Sequence, residues 1–157
     1  MRRHRLLLLP AIALAAGCSS SGFDDGGGGT TSRPEIAVER SGVSITSNQA
    51  AGSIPALTIN GAVGSPATAA FLVRNTGSAT LAVRAIRIPS WSNLDARSAT
   101  LPVAAIAPGG SATLAVSVTP DDLLPWLLRI AIDNSDADED PFLINLGGTA
   151  ILSAAGG

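Results

Sequence analysis

The stretch Phe71-Leu72-Val73-Arg74-Asn75-Thr76-Gly77-Ser78-Ala79-Thr80-Leu81-Ala82-Val83 decides the fold class. Phe71 and Val73 alternate with outward positions, Asn75-Thr76-Gly77 interrupts the run, and Leu81 and Val83 resume it. Period-two patterning on both sides of a turn is the mark of two strands, each with one buried face. Asn and Gly tolerate the positive φ that hairpin turns need.

The same pattern extends in both directions. Ile36 and Val38 alternate, Gly42 turns the chain, and Val43 and Ile45 follow. Ile86 and Ile88 fall out of phase with Leu81 and Val83, so one extra residue is expected near Arg84-Ala85, as a β-bulge or strand break. Pro108-Gly109 suits a type II turn. Leu114, Val116 and Val118 alternate before Pro120, as do Leu128, Ile130 and Ile132, and then Phe142, Ile144 and Leu146. Gly147-Gly148 suggests a bulge before Ala150 to Leu152. The least regular stretch, Thr46 to Gly64, is expected to hold one strand around Leu57-Ile59 and otherwise loops. No segment after the N-terminal region has a convincing helical period, and Pro125 interrupts the apolar run Leu123 to Leu128. About seven strands between residues 34 and 152, separated by Gly, Pro and Asn turns, predict an all-β, immunoglobulin-like β-sandwich. The paired cysteines of antibody domains are absent, since the chain has one Cys.

The N-terminus reads differently. Met1 to Arg5 is positively charged, and Leu6 to Ala16 is an apolar run of about 11 residues, short of the roughly 20 that span a bilayer. Leu14-Ala15-Ala16-Gly17-Cys18 follows. These five residues resemble the bacterial lipobox, with Leu at −4 and Ala15 at the −3 position where Leu is commoner. The resemblance implies cleavage between Gly17 and Cys18 and lipid attachment at Cys18; Ser19 after it points to the outer membrane of a Gram-negative bacterium. A lone Cys in an exported chain has no disulfide partner, and lipidation would consume its thiol. More than one acyl chain would give durable anchorage. Residues 18–33, rich in Ser and Gly, are expected to form a disordered tether, and residues 153–157 a disordered tail. Gly26 to Gly29 lacks the Lys, strand and helix of a phosphate loop.

Composition narrows the chemistry. The chain has 157 residues and a net charge of −2. Arg2, Arg3 and Arg5 lie in the export segment, which leaves seven Arg against twelve acids, or −5. Nucleic acid is not expected as a partner, because phosphate binding needs a basic patch. His4 is the only His and leaves with the export segment; Lys and Tyr are absent. Ser-His-Asp and Cys-His catalysis and Cys/His zinc sites are thereby excluded from the mature chain. Carboxylates alone remain, without an aromatic platform for glycoside chemistry. The expectation is a protein that is not an enzyme and uses no cofactor.

Two local features merit weighing. Asp133, Asp136, Asp138 and Asp140 lie in one acidic run, and closely spaced carboxylates can hold Ca²⁺. The run opens like an EF-hand loop but has Glu139 where Gly belongs and Asn145 where the closing Glu belongs, so that reading fails; a solvated hairpin loop is preferred to a different calcium turn. Trp91 and Trp126 lie in or beside predicted loops, as binding aromatics or as plugs closing the ends of an aromatic-poor core, with the second reading favoured.

Four segments in order, Phe71 to Leu81, Ala107-Pro108-Gly109-Gly110-Ser111, Asn134 to Phe142, and Leu146-Gly147-Gly148-Thr149-Ala150, carry a family likeness. Over residues 34–152 the chain resembles the bacterial choice-of-anchor D domain, akin to Hydin and ASPM/SPD-2/Hydin immunoglobulin-like modules. It departs from that pattern around Ile59-Asn60-Gly61 and at Leu124-Pro125-Trp126. The resemblance implies a surface-exposed domain held by an anchor, with neither catalytic activity nor cofactor. The function expected is a lipid-anchored envelope protein whose domain serves protein or surface contacts or a structural role. It would meet the membrane through its N-terminal lipid and a protein partner in the envelope. The alternative is a lipoprotein that captures carbohydrate or Ca²⁺ through its loops.

Overall fold

The computed structural model describes residues 31–152. The residues read as an export signal, with Gly17, the expected lipid-attachment residue Cys18, most of the expected tether and the C-terminal tail lie outside the described residues. Among the described residues eleven strands form: β1 (Ile36–Arg40), β2 (Val43–Ile45), β3 (Gly61–Ala62), β4 (Ala67–Asn75), β5 (Leu81–Ser92), β6 (Leu94–Thr100), β7 (Ala105–Ile106), β8 (Ser111–Pro120), β9 (Trp126–Asn134), β10 (Phe142–Gly148) and β11 (Ala150–Ile151). Seven of them have five residues or more; six of these, β1, β4, β5, β8, β9 and β10, contain alternating runs read from sequence, the run at Val43 and Ile45 is the short β2, and β6 was not expected. One sheet runs β2-β1-β4-β8-β6 and the other β10-β9-β5-β7, all pairs antiparallel; β11 and β3 make a short parallel pair.

Alternation supplies the core. Val38, Phe71, Val73, Leu114, Val116 and Val118 come from the first sheet, and Trp126, Leu128, Ile130, Ile132, Phe142, Ile144 and Leu146 from the second. Each fully buried side chain of this size contributes roughly 1.5–3 kcal/mol. With three aromatics among them, branched aliphatics fill the space between the sheets.

The turns form for stated reasons. Ser41 (φ 51°) and Gly42 (φ 76°) close the β1–β2 hairpin with two left-handed residues, the geometry that matches strand twist. Gly109 (φ 72°) follows Pro108, and Gly110 N–H donates to Ala107 O at 2.8 Å. The expected irregularity lies between Val83 and Ala85; a second, between Arg87 and Ser90, was not foreseen and spans Pro89, which has no N–H to donate.

Four expectations are corrected. Asn75-Thr76-Gly77 has no positive φ; a Cβ on Gly77 would collide with the backbone of Arg33, Pro34 and Glu35, so close approach of two chain segments explains the glycine. Leu57-Ile59 is not a strand: Pro55–Leu57 forms a 3₁₀ turn, and Thr58 makes a single bridge to Gly147. Gly147-Gly148 ends β10 rather than bulging, and the chain then pairs β11 with β3. Ser32 and Arg33, assigned to the tether, are held to Ser78: Ser32 Oγ donates to Ser78 O, and Ser78 N–H donates to Arg33 O.

The two glycine mechanisms separate by mutation. Gly42 has open space around its missing Cβ, so Gly42→Ala costs only the left-handed backbone, about 1–2 kcal/mol, and Gly42→Asn less. Gly77→Ala forces backbone apart, with an expected loss of about 1–3 kcal/mol or more that Asn does not relieve. Urea denaturation of the four variants checks this; a Gly77→Asn chain as stable as wild type would refute the close-approach account.

Candidate functional site

The described domain begins at the pole where β1 starts. There Ile36 pairs with Asn75 at the end of β4, and Ile36 N–H reaches the other sheet's connection by donating to Asp136 Oδ2 at 2.8 Å. Asp136 sits in the β9–β10 connection and is 2% exposed. Its own N–H donates to Asn134 Oδ1 at 2.7 Å, and Asn134 Nδ2 donates to Ile132 O and Glu139 O. The acidic run is therefore a folded joint as much as a solvated loop.

The run divides into two groups. Asp133 pairs with Arg87 through two bonds, Nε to Oδ2 at 2.6 Å and Nη2 to Oδ1 at 2.5 Å. Asp140 accepts from Arg84 Nη1 at 2.7 Å and from Asn134 N–H at 2.9 Å. These two do not join Asp136 and Asp138 in a common site. Glu35 joins them instead: one carboxylate oxygen each from Glu35, Asp136 and Asp138 lie within 4.8 Å of one another. Sequence spacing could not reveal Glu35, which stands a hundred residues away, beside the N–H that Asp136 binds. Three carboxylates are the residues here that could hold a hard cation, against the six to eight oxygens Ca²⁺ takes.

The electrostatics follow the division. Hydrogen bonding to Arg87 holds the Asp133 carboxyl below its usual range, and the Asn134 N–H followed by Arg84 does the same for Asp140. In the other group repulsion and burial act. Asp136 raises the Glu35 carboxyl, desolvation raises Asp136, and desolvation followed by Asp136 raises Glu139.

The tryptophans separate as well. Trp126 opens β9 fully buried, its ring against Gly148, and is therefore no surface anchor. Its Nε1 has no acceptor among the described residues. Trp91 lies in β5, not in a loop, and is 46% exposed, with the Arg97 guanidinium carbon 3.3 Å from its ring centroid. The opposite pole carries a different surface. Leu123 and Leu124, in the β8–β9 loop, and Leu127 at the start of β9 are each more than half exposed.

No protein-family model matches the chain, and no curated protein matches it. Solved structures do. The ASH/PapD-like domain 7 of human CEP192 aligns with a TM-score of 0.53 over 92% of this chain and 100% of that one, at 8% identity. The domain is an immunoglobulin-like β-sandwich. A protein of unknown function from Porphyromonas gingivalis W83 aligns with a TM-score of 0.50 over 74% of this chain at 18% identity. This chain spans 66% of that protein's length. At such identities the likeness is one of fold alone.

The carboxylate groups set a two-limbed pH dependence. Glu35, Asp136 and Glu139 have raised folded-state values, so their contribution is favourable at low pH and is lost as pH rises through those values. Asp133 and Asp140 have lowered values, so theirs is present above about pH 4 and is lost as pH falls through the folded values. Thermal stability should therefore rise as pH falls through the raised values of Glu35, Asp136 and Glu139, and fall as it drops below about 4 toward the lowered values of Asp133 and Asp140. Asp138→Asn should raise the pH 7 midpoint by roughly 1–3 °C and flatten the upper limb. A lowered midpoint would show that Asp138 stabilises its surroundings rather than repelling them.

Proposed function

We propose that this chain is a non-enzymatic lipoprotein of the bacterial cell envelope, anchored through Cys18, whose immunoglobulin-like domain is of the choice-of-anchor D type and binds a protein partner. The observation that carries the contact role is the distribution of surface between the two poles. β1 starts at one pole, beside the carboxylates. Leu123, Leu124 and Leu127 stand exposed at the other, at 51%, 58% and 54%. Large aliphatics grouped at one end of a sandwich are the kind of surface that protein contacts cover. The charge-lowering effect of losing three arginines with the export segment, and the absence of Lys, His and Tyr from the remainder, support a role without nucleic acid or catalysis.

The anchor is tested by intact-mass analysis of the protein from its native envelope beside Cys18→Ala. The expected result is an N-terminus at Cys18 with added acyl mass, lost in the variant together with membrane fractionation. An unacylated chain cut elsewhere would overturn the anchor. The contact role is tested by a photoreactive residue at position 124 in living cells, with position 113 as control. A discrete adduct from 124 that disappears in Leu123→Ser/Leu127→Ser supports it, and no adduct from 124 refutes it.

A further inference from the structure

The leucine pole holds more apolar surface than its three leucines. β11 lies on β3 in parallel, and Val63 N–H donates to Ile151 O at 3.0 Å. The next residue, Gly64, donates its N–H to Pro120 O at 2.9 Å, at the end of β8. Residues 61–64 therefore join the end of β11 to the start of the loop that carries Leu123 and Leu124. Ile151 and Leu152 are 68% and 72% exposed, the most exposed large aliphatics among the described residues. Large aliphatics gathered at one pole make a patch rather than scattered single residues, and such patches mark contact sites.

Three carboxylates border this patch. Asp121 and Asp122 follow Pro120 directly, and Asp95 follows Leu94, which pairs with Pro120 across β6 and β8. None of the three is in an ion pair among the described residues. Arg97, on the same strand as Asp95, has its guanidinium over the Trp91 ring instead. Asp122 is committed to the loop, where its Oδ1 accepts from Leu124 N–H, whereas Asp95 and Asp121 stand exposed.

These charges discriminate among occupants. An anionic lipid surface carries a negative potential that repels unpaired carboxylates. A second copy docked pole to pole across a two-fold axis would bring the carboxylates of both chains together, like charge against like. A protein segment that carries aliphatic side chains together with Arg or Lys meets both the apolar patch and its acidic border. On the footing of the leucine contact proposed above, we infer that the partner engages this pole with a basic amphipathic segment. Its aliphatic side chains lie on Leu123, Leu124, Ile151 and Leu152, and its cations face Asp95 and Asp121.

A photoreactive residue at position 152 in living cells should give the same discrete protein adduct as one at 124. An adduct from 124 with none from 152 overturns this assignment and leaves the leucine contact standing. An adduct from 152 with lipid, or with a second copy of the chain, overturns it as well. Silence at both positions removes the leucine contact too. The charge is tested by anisotropy titration of the full chain in nonionic detergent with labelled peptides of alternating Leu and Arg, or of Leu and Glu. The expected result is saturable binding of the Leu/Arg peptide, weakened by added NaCl, with the Leu/Glu peptide bound about tenfold more weakly or worse. Asp95→Asn/Asp121→Asn should weaken the Leu/Arg peptide by about fivefold, and Ile151→Ser/Leu152→Ser by about tenfold. Asp138→Asn, at the opposite pole, should leave binding unchanged. Absence of saturable binding, equal binding of the two peptides, or indifference to Asp95→Asn/Asp121→Asn would each overturn the basic segment.

Discussion

The sandwich depends on how backbone polar groups are satisfied where β1 meets both sheets. Three buried polar side chains do this. Asn75 Nδ2 donates to Ala79 O and Ile106 O, and its Oδ1 accepts from Glu35 and Gly77 N–H. Asn134 and Asp136 complete the joint across the β9–β10 connection. A buried backbone group left unpaired costs about 1–3 kcal/mol, so an apolar residue in place of Asn75 or Asn134 would strand three or more partners, and one in place of Asp136 would strand the Ile36 N–H. Residues of turn-forming type thus serve as cross-links between segments distant in sequence.

The carboxylate cluster is a consequence of that joint. Asp136 is required as the acceptor for Ile36 N–H, and Glu35 is the residue immediately before it. Bringing β1 to its acceptor necessarily brings the Glu35 side chain toward Asp136 and Asp138. Asp133, which accepts from Arg87 alone, and Asp140, which accepts from Asn134 N–H as well, are matched by Arg87 and Arg84 from β5. The same eight-residue run therefore contains two carboxylates matched by cations, Asp133 and Asp140, and one, Asp136, held by a buried N–H with no cation beside it. The second kind leaves like charges close together, which is why the two sets titrate in opposite directions.

Local patterns carried most of the fold, because strand alternation and turn chemistry are written in residues a few positions apart. Six of the seven long strands, the hairpin at Gly42, the turn at Pro108-Gly109 and the irregularity at Arg84-Ala85 are of this kind; β6, whose one large apolar residue is Leu94, carries no such pattern. What depends on distant segments was not legible. The stretch from 46 to 60 looks irregular because its hydrogen bonds go to the edge of β10, with Asn48 N–H donating to Leu143 O and Ile59 N–H to Gly147 O. That covering also shields an edge strand from pairing with other chains. Gly77 answers to Arg33, Glu35 to Asp136, and Asn48 to Arg129, at separations that no motif spans. Trp126 stands beside the β8–β9 loop and fills the end of the core, the favoured reading: β9 begins directly after Pro125 and buries the indole.

The distal pole shows how an exposed apolar tip can coexist with a firmly built base. β5 pairs with β9 in one sheet, Asn93 takes a left-handed conformation (φ 55°), and β6 then pairs with β8 in the other sheet. The Trp91–Arg97 stack joins the two strands across this switch. Asn93 also fixes the β8–β9 loop from both sides, donating through Nδ2 to Pro125 O at 2.7 Å and accepting from Asp121 N–H at 3.3 Å. Within the loop, Asp122 Oδ1 accepts from Leu124 N–H at 2.7 Å. Leu123 and Leu124 are consequently presented on a loop whose ends are held and whose backbone is partly ordered before any partner arrives. Ordering a free loop on association would consume much of the energy gained from covering two leucines. Here that ordering belongs to folding, and the aliphatic surface is left available for contact.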